Sequence, residues 1–217
     1  VWWAAPSFAG PDHVALLDPA ERERDAALRR AEDRARFRTG SALIRLAVAR
    51  YLGTAPADVA IDRSCVHCDR PHGKPRVGGG LEVSVSHSGD LVALAVTRGH
   101  AVGVDVEQGR STVDYRELAA TVLAPIEAEW LATVDDGALP AAFLRYWTRK
   151  EAIVKATGEG LRTPLASVVV TPPDAPPAAL HAGGIELFDL HPDDGYAAAV
   201  AVLGPPGWQV TELPPLA

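Results

Sequence analysis

Methionine is missing altogether from these 217 residues, and cysteine occurs only twice. Lysine supplies just three of the 21 basic side chains, Lys74, Lys150 and Lys155; the other eighteen are arginine. Abundant Ala, Gly, Pro and Arg fit a genome rich in G and C, so each surviving lysine invites a reason. A compact ammonium and a planar guanidinium fork are not interchangeable. Two cysteines three positions apart make no disulfide framework, which favours a cytoplasmic setting. No apolar run approaches the roughly 20 residues needed to span a bilayer. The opening VWWAAPSFAG has no basic stretch leading into an apolar one, so it does not read as a signal peptide. The absent initiator Met suggests a trimmed N-terminus, which leaves an upstream targeting segment open. A formal net charge of -7 argues against a general binder of nucleic acid or anionic membrane. A local basic pocket is still allowed. GxxxxGK[ST], GxGxxG and G-x-S-x-G are also absent. If phosphate is bound, side chains and a metal must hold it.

The length allows one large domain or two of roughly 100 residues. A hydrophobic fraction of 47% can build a sizeable core. Asp18 before Pro19 signals a helix start, and the pattern predicts helix from Pro19 to about Leu52, ended by Gly53. Residues 64–80 are polar and Pro/Gly-rich, hence loop. Residues 81–86, 91–97 and 101–107 read as three strands of an antiparallel meander. Two short helices follow over 112–133, the second opened by Pro125. A longer helix runs from Pro140 to about Thr157. The tail from 166 reads as strands broken by Pro-rich turns. VSHSGDLVALAV (85–96) echoes DLHPDDGYAAAVAV (189–202), which suggests two similar α+β halves split near 103–110.

Several groupings could carry chemistry. GVDVE (103–107) sets Asp105 and Glu107 on one face of a strand, with Cα atoms about 7 Å apart. Read alone, the pair is either a solvated strand end or two hard oxygen ligands for a hydrated Mg²⁺ beside a phosphate. WTRKEAIVKATGEGL (147–161) aligns Trp147, Glu151 and Lys155 on one helix stripe. Ala152, Ile153, Val154 and Ala156 make that helix largely buried, so its charges need partners. SVSHSGD offers Ser86 and His87, which adjacent strand positions point to opposite faces. That geometry is poor for a serine hydrolase; at a strand end the two either donate separate hydrogen bonds to phosphate or are structural, with a satisfied core-type histidine. Cys65, Cys68 and His72, with His67 between, read as half a zinc site or as a loop with free thiols. A redox CxxC lacks its strand–helix context. HGKP (72–75) puts Lys74 on a rigid loop, and Arg34, Arg36 and Arg38 lie near a helix end.

In this order and spacing, HGKP, SVSHSGD, GVDVE and WTRKEAIVKATGEGL strongly resemble the 4′-phosphopantetheinyl transferases. The likeness is to the longer, two-halved type that activates polyketide and nonribosomal peptide synthetases, the surfactin-synthetase activator (Sfp) type. The motifs cover residues 72–161. RARFRTGSALIRLAVARYLG (34–53) and the closing strands are looser matches.

The resemblance implies an α+β fold of two similar halves related by a pseudo-two-fold axis, each an antiparallel sheet packed with helices. The halves are placed at 1–105 and 106–217, with the site in the cleft between them. The implied reaction moves phosphopantetheine from coenzyme A to a serine of apo carrier proteins of polyketide, nonribosomal peptide or fatty acid synthases. It leaves adenosine 3′,5′-bisphosphate. Asp105, Glu107 and Glu151 then correspond to Mg²⁺ ligands, with Mn²⁺ the other candidate ion. Glu151 is also the implied general base. Lys155 corresponds to a pyrophosphate contact, Ser86 and His87 to phosphate contacts, Lys74 to a nucleotide-side CoA contact and Arg38 to one at the 3′-phosphate. The implied protein is a monomer in the cytoplasm, with no nucleic acid or membrane partner. Region 112–130, with Val122 and Leu123 read as exposed, is expected near the carrier-docking surface. A non-catalytic CoA- or nucleotide-binding module and a metal-dependent phosphohydrolase are the competing readings. Neither Lys150 nor the CxxC loop receives a settled role.

Overall fold

The protein was analysed as a computed structural model, which describes residues 1–65, 68, 70, 72–180 and 183–214. The chain forms two compact units, one of residues 1–100 joined by the stretch from Thr211, the other of residues 101–210. The boundary therefore falls just before a strand, not inside it at 105/106. Cutting there would divide a continuous ladder that runs from Val102 to Gln108.

The first unit contains β1 (Trp2–Ala4), α1 (Pro11–Ala15), α2 (Pro19–Ala27), α3 (Ala31–Leu52), β2 (Leu81–Ser88) and β3 (Leu91–Arg98). Its sheet has the order β1-β3-β2, antiparallel throughout. Gly89, at φ 54°, supplies the left-handed conformation that the two-residue turn between β2 and β3 requires. Leu43, Ile44, Ala47 and Val48 of α3 pack on Val83, Val92 and Leu94 of the sheet. The tail returns to this unit: Leu213 bridges Trp2, and the Trp3 indole donates to Glu212 at 2.8 Å.

A single helix over 19–52 is corrected to two, α2 and α3, broken where Leu28 and Arg30 are extended. Ion pairing explains the break. Arg38 grips Asp25 through two hydrogen bonds of 2.8 and 2.7 Å. In one straight helix these residues, thirteen apart, would be separated by about 20 Å along the axis. Arg45, buried on α3, likewise reaches Glu21 of α2 at 2.7 Å.

The second unit contains β4 (Val102–Gln108), α4 (Tyr115–Val122), α5 (Pro125–Leu131), α6 (Leu139–Thr157), β5 (Ile185–Leu190) and β6 (Tyr196–Leu203). Its sheet has the order β4-β6-β5, also antiparallel. The meander is therefore corrected. β2 and β3 form a hairpin, whereas β4 leaves it and pairs with β6, nearly a hundred residues on. In the tail, β5 and β6 are the only named strands among the described residues, and 164–184 is mostly loop.

Each unit thus runs strand, two short helices, long helix, hairpin, and each first strand pairs with the hairpin's second strand. The echo at 85–96 and 189–202 lies on these two equivalent hairpins. A second repeat is subtler. Leu17-Asp18-Pro19-Ala20-Glu21 opens α2 and Leu123-Ala124-Pro125-Ile126-Glu127 opens α5. In both, Pro starts the helix and the Glu carboxylate accepts the backbone N–H of the residue before Pro. In both, that Glu also pairs with a buried cation of the following long helix, Arg45 or Lys150.

Candidate active site

Gly103 decides how α6 meets β4. A Cβ at this position would lie 2.0 Å from the Ala152 carbonyl oxygen and 2.4 Å from the Ala156 nitrogen. Glycine alone lets the helix backbone rest on the strand. Period-2 alternation puts Asp105 and Glu107 on the same face as Gly103, so Asp105 is delivered to the same turn of α6, that of Lys155. The Lys155 ammonium donates to Asp105 Oδ1 at 2.6 Å. Asp105 is only 3% exposed; Glu107, Glu151 and Lys155 are half-buried.

Glu151 lies one helical turn before Lys155. Burial pushes its carboxyl above the usual carboxylate range, the Asp105 charge pushes it further, and the Lys155 ammonium pulls it partly back. One ammonium therefore does not neutralise this corner of the unit. Among the described residues, the group of three metal-capable side chains whose ligand atoms all lie within 4.8 Å is a different one, Cys65, Cys68 and His72.

Residues 101–201 match the family described as "4'-phosphopantetheinyl transferase superfamily". The chain is 37% identical over 183 residues to "4'-phosphopantetheinyl transferase HetI" of Nostoc sp., an alignment covering 82% of this chain and 74% of that protein. The chain belongs to the 4′-phosphopantetheinyl transferase family. A putative 4'-phosphopantetheinyl transferase of Synechocystis sp., slr0495, is 29% identical over 73% of this chain and 64% of its own length. A phosphopantetheinyl transferase of Thraustochytrium sp. is 33% identical, over 73% of this chain and 58% of its own. The chain thus spans less than two thirds of these last two relatives. Among solved structures, a Thermotoga maritima holo-[acyl-carrier-protein] synthase (AcpS) aligns over 48% of this chain and 62% of its own. It is 23% identical, at a TM-score of 0.40.

The family match covers the whole carboxylate–lysine group of this transferase. The other expected site residues belong to the first unit. Arg38 is engaged with Asp25, and that bond holds its guanidinium further above its already high pKa. Lys74 is largely buried, its ammonium 3.9 Å from Glu82; burial lowers its pKa and Glu82 partly restores it. Ser86 is buried and His87 exposed on successive positions of β2, so the two are no nucleophile–base pair. Arg34 donates to the Asp25 carbonyl and Arg36 to that of Gly89, so these two arginines tie α3 to its neighbours.

Sequence reasoning missed what Arg149 and Lys150 do. Arg149 is fully buried, doubly bonded to Asp189 at 2.8 and 2.6 Å, and donates to the carbonyls of Thr171, Pro172 and Ala175. Lys150, also fully buried, pairs with Glu127 at 2.5 Å and donates to the carbonyls of Leu165 and Val168. Both hold the loop that follows α6. Lys150 is structural. Val122 and Leu123, expected to be exposed, are 6% and 5% exposed and sit in the core. The exposed large apolar residues of α4 and α5 are Leu118 and Ile126, at 38% and 64%. Helical periodicity turns the first pair inward and the second outward.

Proposed function

We propose that this chain transfers the 4′-phosphopantetheine arm of coenzyme A to a serine of apo carrier proteins, releasing adenosine 3′,5′-bisphosphate. The observation that carries the reading is the Asp105–Lys155 pair with Glu151 beside it, set by the Gly103 contact inside the segment that matches the family. A pure CoA-binding module has no need of three carboxylates at such a place.

The donor set suits Mg²⁺, or Mn²⁺ as the second choice. Asp105, Glu107 and Glu151 offer hard oxygens, and burial, followed by the Asp105 charge, raises the Glu151 carboxyl, a penalty on its charged form that a divalent cation offsets. When bound, the ion supplies positive charge to the pyrophosphate of coenzyme A. Lys155 adds an ammonium on the same side, aimed at oxygens whose charge is redistributed as the β-phosphorus is attacked. Asp105 holds Lys155 in place for that task. In this reading Glu151 takes the proton of the incoming serine, directly or through a water.

In this reading Lys74 and Arg38 hold the nucleotide end of coenzyme A, Arg38 exchanging or sharing Asp25, and Ser86 and His87 bind phosphate. Leu118 and Ile126 replace Val122 and Leu123 as the apolar part of the carrier-docking surface. Docking must be local, because the chain is net -7 and carrier proteins of this kind are acidic. A cytoplasmic monomer serving polyketide or nonribosomal peptide synthetases fits best. No helix among the described residues is long and apolar enough to cross a membrane.

The test is mass spectrometry of an apo carrier protein incubated with coenzyme A and Mg²⁺. A gain of about 340 Da on the carrier supports transfer. Cleaved coenzyme A with an unmodified carrier supports a phosphohydrolase, and binding without turnover supports a non-catalytic module.

A further inference from the structure

We infer that Cys65, Cys68 and His72 form a zinc site that staples the long connection between α3 and β2. Nothing in the transfer chemistry uses these three residues. Their ligand atoms already lie within 4.8 Å of one another, with Cys68 Sγ 3.0 Å from His72 Nε2. The edges of a tetrahedral zinc site are about 3.5–3.8 Å when Zn–S is about 2.3 Å and Zn–N about 2.1 Å. Small adjustments therefore suffice to close all three donors on one ion. His67 of the same motif lies outside the described residues.

The backbone holds the donors close without the ion. Asp62 and Arg76 exchange both backbone hydrogen bonds, at 2.9 and 2.8 Å, and their side chains pair at 2.6 Å. That bridge closes the base of the loop. Higher up, Gly73 N–H donates to the Arg63 carbonyl at 2.7 Å, and Cys65 and His72 N–H both donate to the Arg70 carbonyl. A Cβ on Gly73 would come within 2.8 Å of the Ser64 carbonyl oxygen, so the two arms touch through main chain. A loop prearranged in this way loses little further entropy when an ion binds.

The ion's identity follows from the donors. Two thiolates and an imidazole are borderline-soft ligands that select zinc over Mg²⁺, and Mg²⁺ suits the carboxylates of the second unit. Binding displaces the two thiol protons to solvent, with no change of oxidation state. Cys68 and His72 are exposed, so water completes the coordination. A staple is also needed here. Between Gly53 and Leu81, Val59 is the one buried hydrophobic among the described residues, too little core for a connection of this length. Lys74 follows His72 by two residues, so fixing the knuckle also fixes that ammonium.

The test needs neither coenzyme A nor a carrier protein. Elemental analysis of the full chain, purified without chelator, should find about one zinc per chain. Cys65→Ser and Cys68→Ser should lose it, while Asp105→Asn should keep it. In wild-type protein, Co²⁺ should give thiolate-to-cobalt charge transfer in the near ultraviolet and the visible bands of a tetrahedral centre. This readout does not depend on the variants folding. The inference is overturned by zinc-free protein with an octahedral Co²⁺ spectrum, by zinc retained in both cysteine variants, or by a Cys65–Cys68 disulfide in protein purified aerobically.

Discussion

The two units share one topology, yet only the second carries an acid–base cluster on its first strand. In the first unit that strand is Trp2-Trp3-Ala4, apolar and short, with Trp2 and Ala4 buried. In the second it is Val102–Gln108, long enough to bring Asp105 and Glu107 past the helix. The close approach of helix and sheet is also made differently. The first unit puts its glycine on the helix, where a Cβ on Gly40 would meet Val85 Cγ1 at 3.1 Å. The second puts it on the strand, where the obstacle is helix backbone. The same scaffold therefore tolerates divergence at its closest contact, and chemistry was built on whichever copy offered a strand face beside a helix turn.

The comparison can be broken most severely at Asp105. Asp105→Asn keeps the shape but removes the charge that holds Lys155, and carrier modification by mass spectrometry should fall about 10³-fold with an unchanged circular dichroism spectrum. Wild-type turnover would remove the carboxylates from the mechanism.

Next in size come the buried pairs. Lys150→Met leaves Glu127 charged and unpaired, at a cost of about 3–5 kcal/mol in denaturant unfolding. Glu127→Gln/Lys150→Met should recover part of it, because the unpaired charge is gone, while the single acceptor oxygen of Gln meets only one of the two N–H groups, of Ala124 and Val170, that the two Glu127 oxygens accept.

The glycines give a sharper contrast. Gly103→Ala forces a methyl into main chain and should cost about 3 kcal/mol or more. Gly40→Ala should stay within about 1 kcal/mol of wild type, since Val85 can yield and alanine favours the helix. Equal costs would dissolve the distinction between the two contacts.

The smallest effect is a pH dependence confined to the second unit. A carboxyl raised in the folded state stabilises the fold at pH below its unfolded value. That contribution is lost as pH rises through the folded one. Metal-free protein should therefore gain thermal stability as pH falls through that window, and Glu151→Gln should flatten the gain. A pH profile identical in wild type and Glu151→Gln would contradict the raised carboxyl.

Local pattern made much of this legible. Asp18-Pro19 and Pro125 marked helix starts that the structure has, and the run from Pro140 to Thr157 is α6 within a residue. The echo between 85–96 and 189–202 paired two equivalent hairpins. What escaped was non-local. Three successive strand patterns look like a meander, and nothing within 101–107 says that its partner is 196–202. Arg149 received no role and Lys150 no settled one, because their partners, Asp189 and Glu127, lie far away in sequence. Val122 and Leu123 were misjudged because the two-residue link to Pro125 hides which way a short helix faces. The LxPxE repeat was visible all along, as Leu17 to Glu21 and Leu123 to Glu127, but only the buried cations above each Glu show what it is for.

The seat of α6 on Gly103 has a consequence for how such a site drifts over time. Because main-chain atoms set the strand–helix spacing, that spacing acts as a hard stop that does not scale with neighbouring side chains. Aliphatic residues elsewhere in the second core can be traded for others of similar bulk without moving Asp105 relative to Lys155. A mutational library of this unit should therefore retain turnover across many core exchanges and lose it at Gly103, where any side chain meets the backbone of α6.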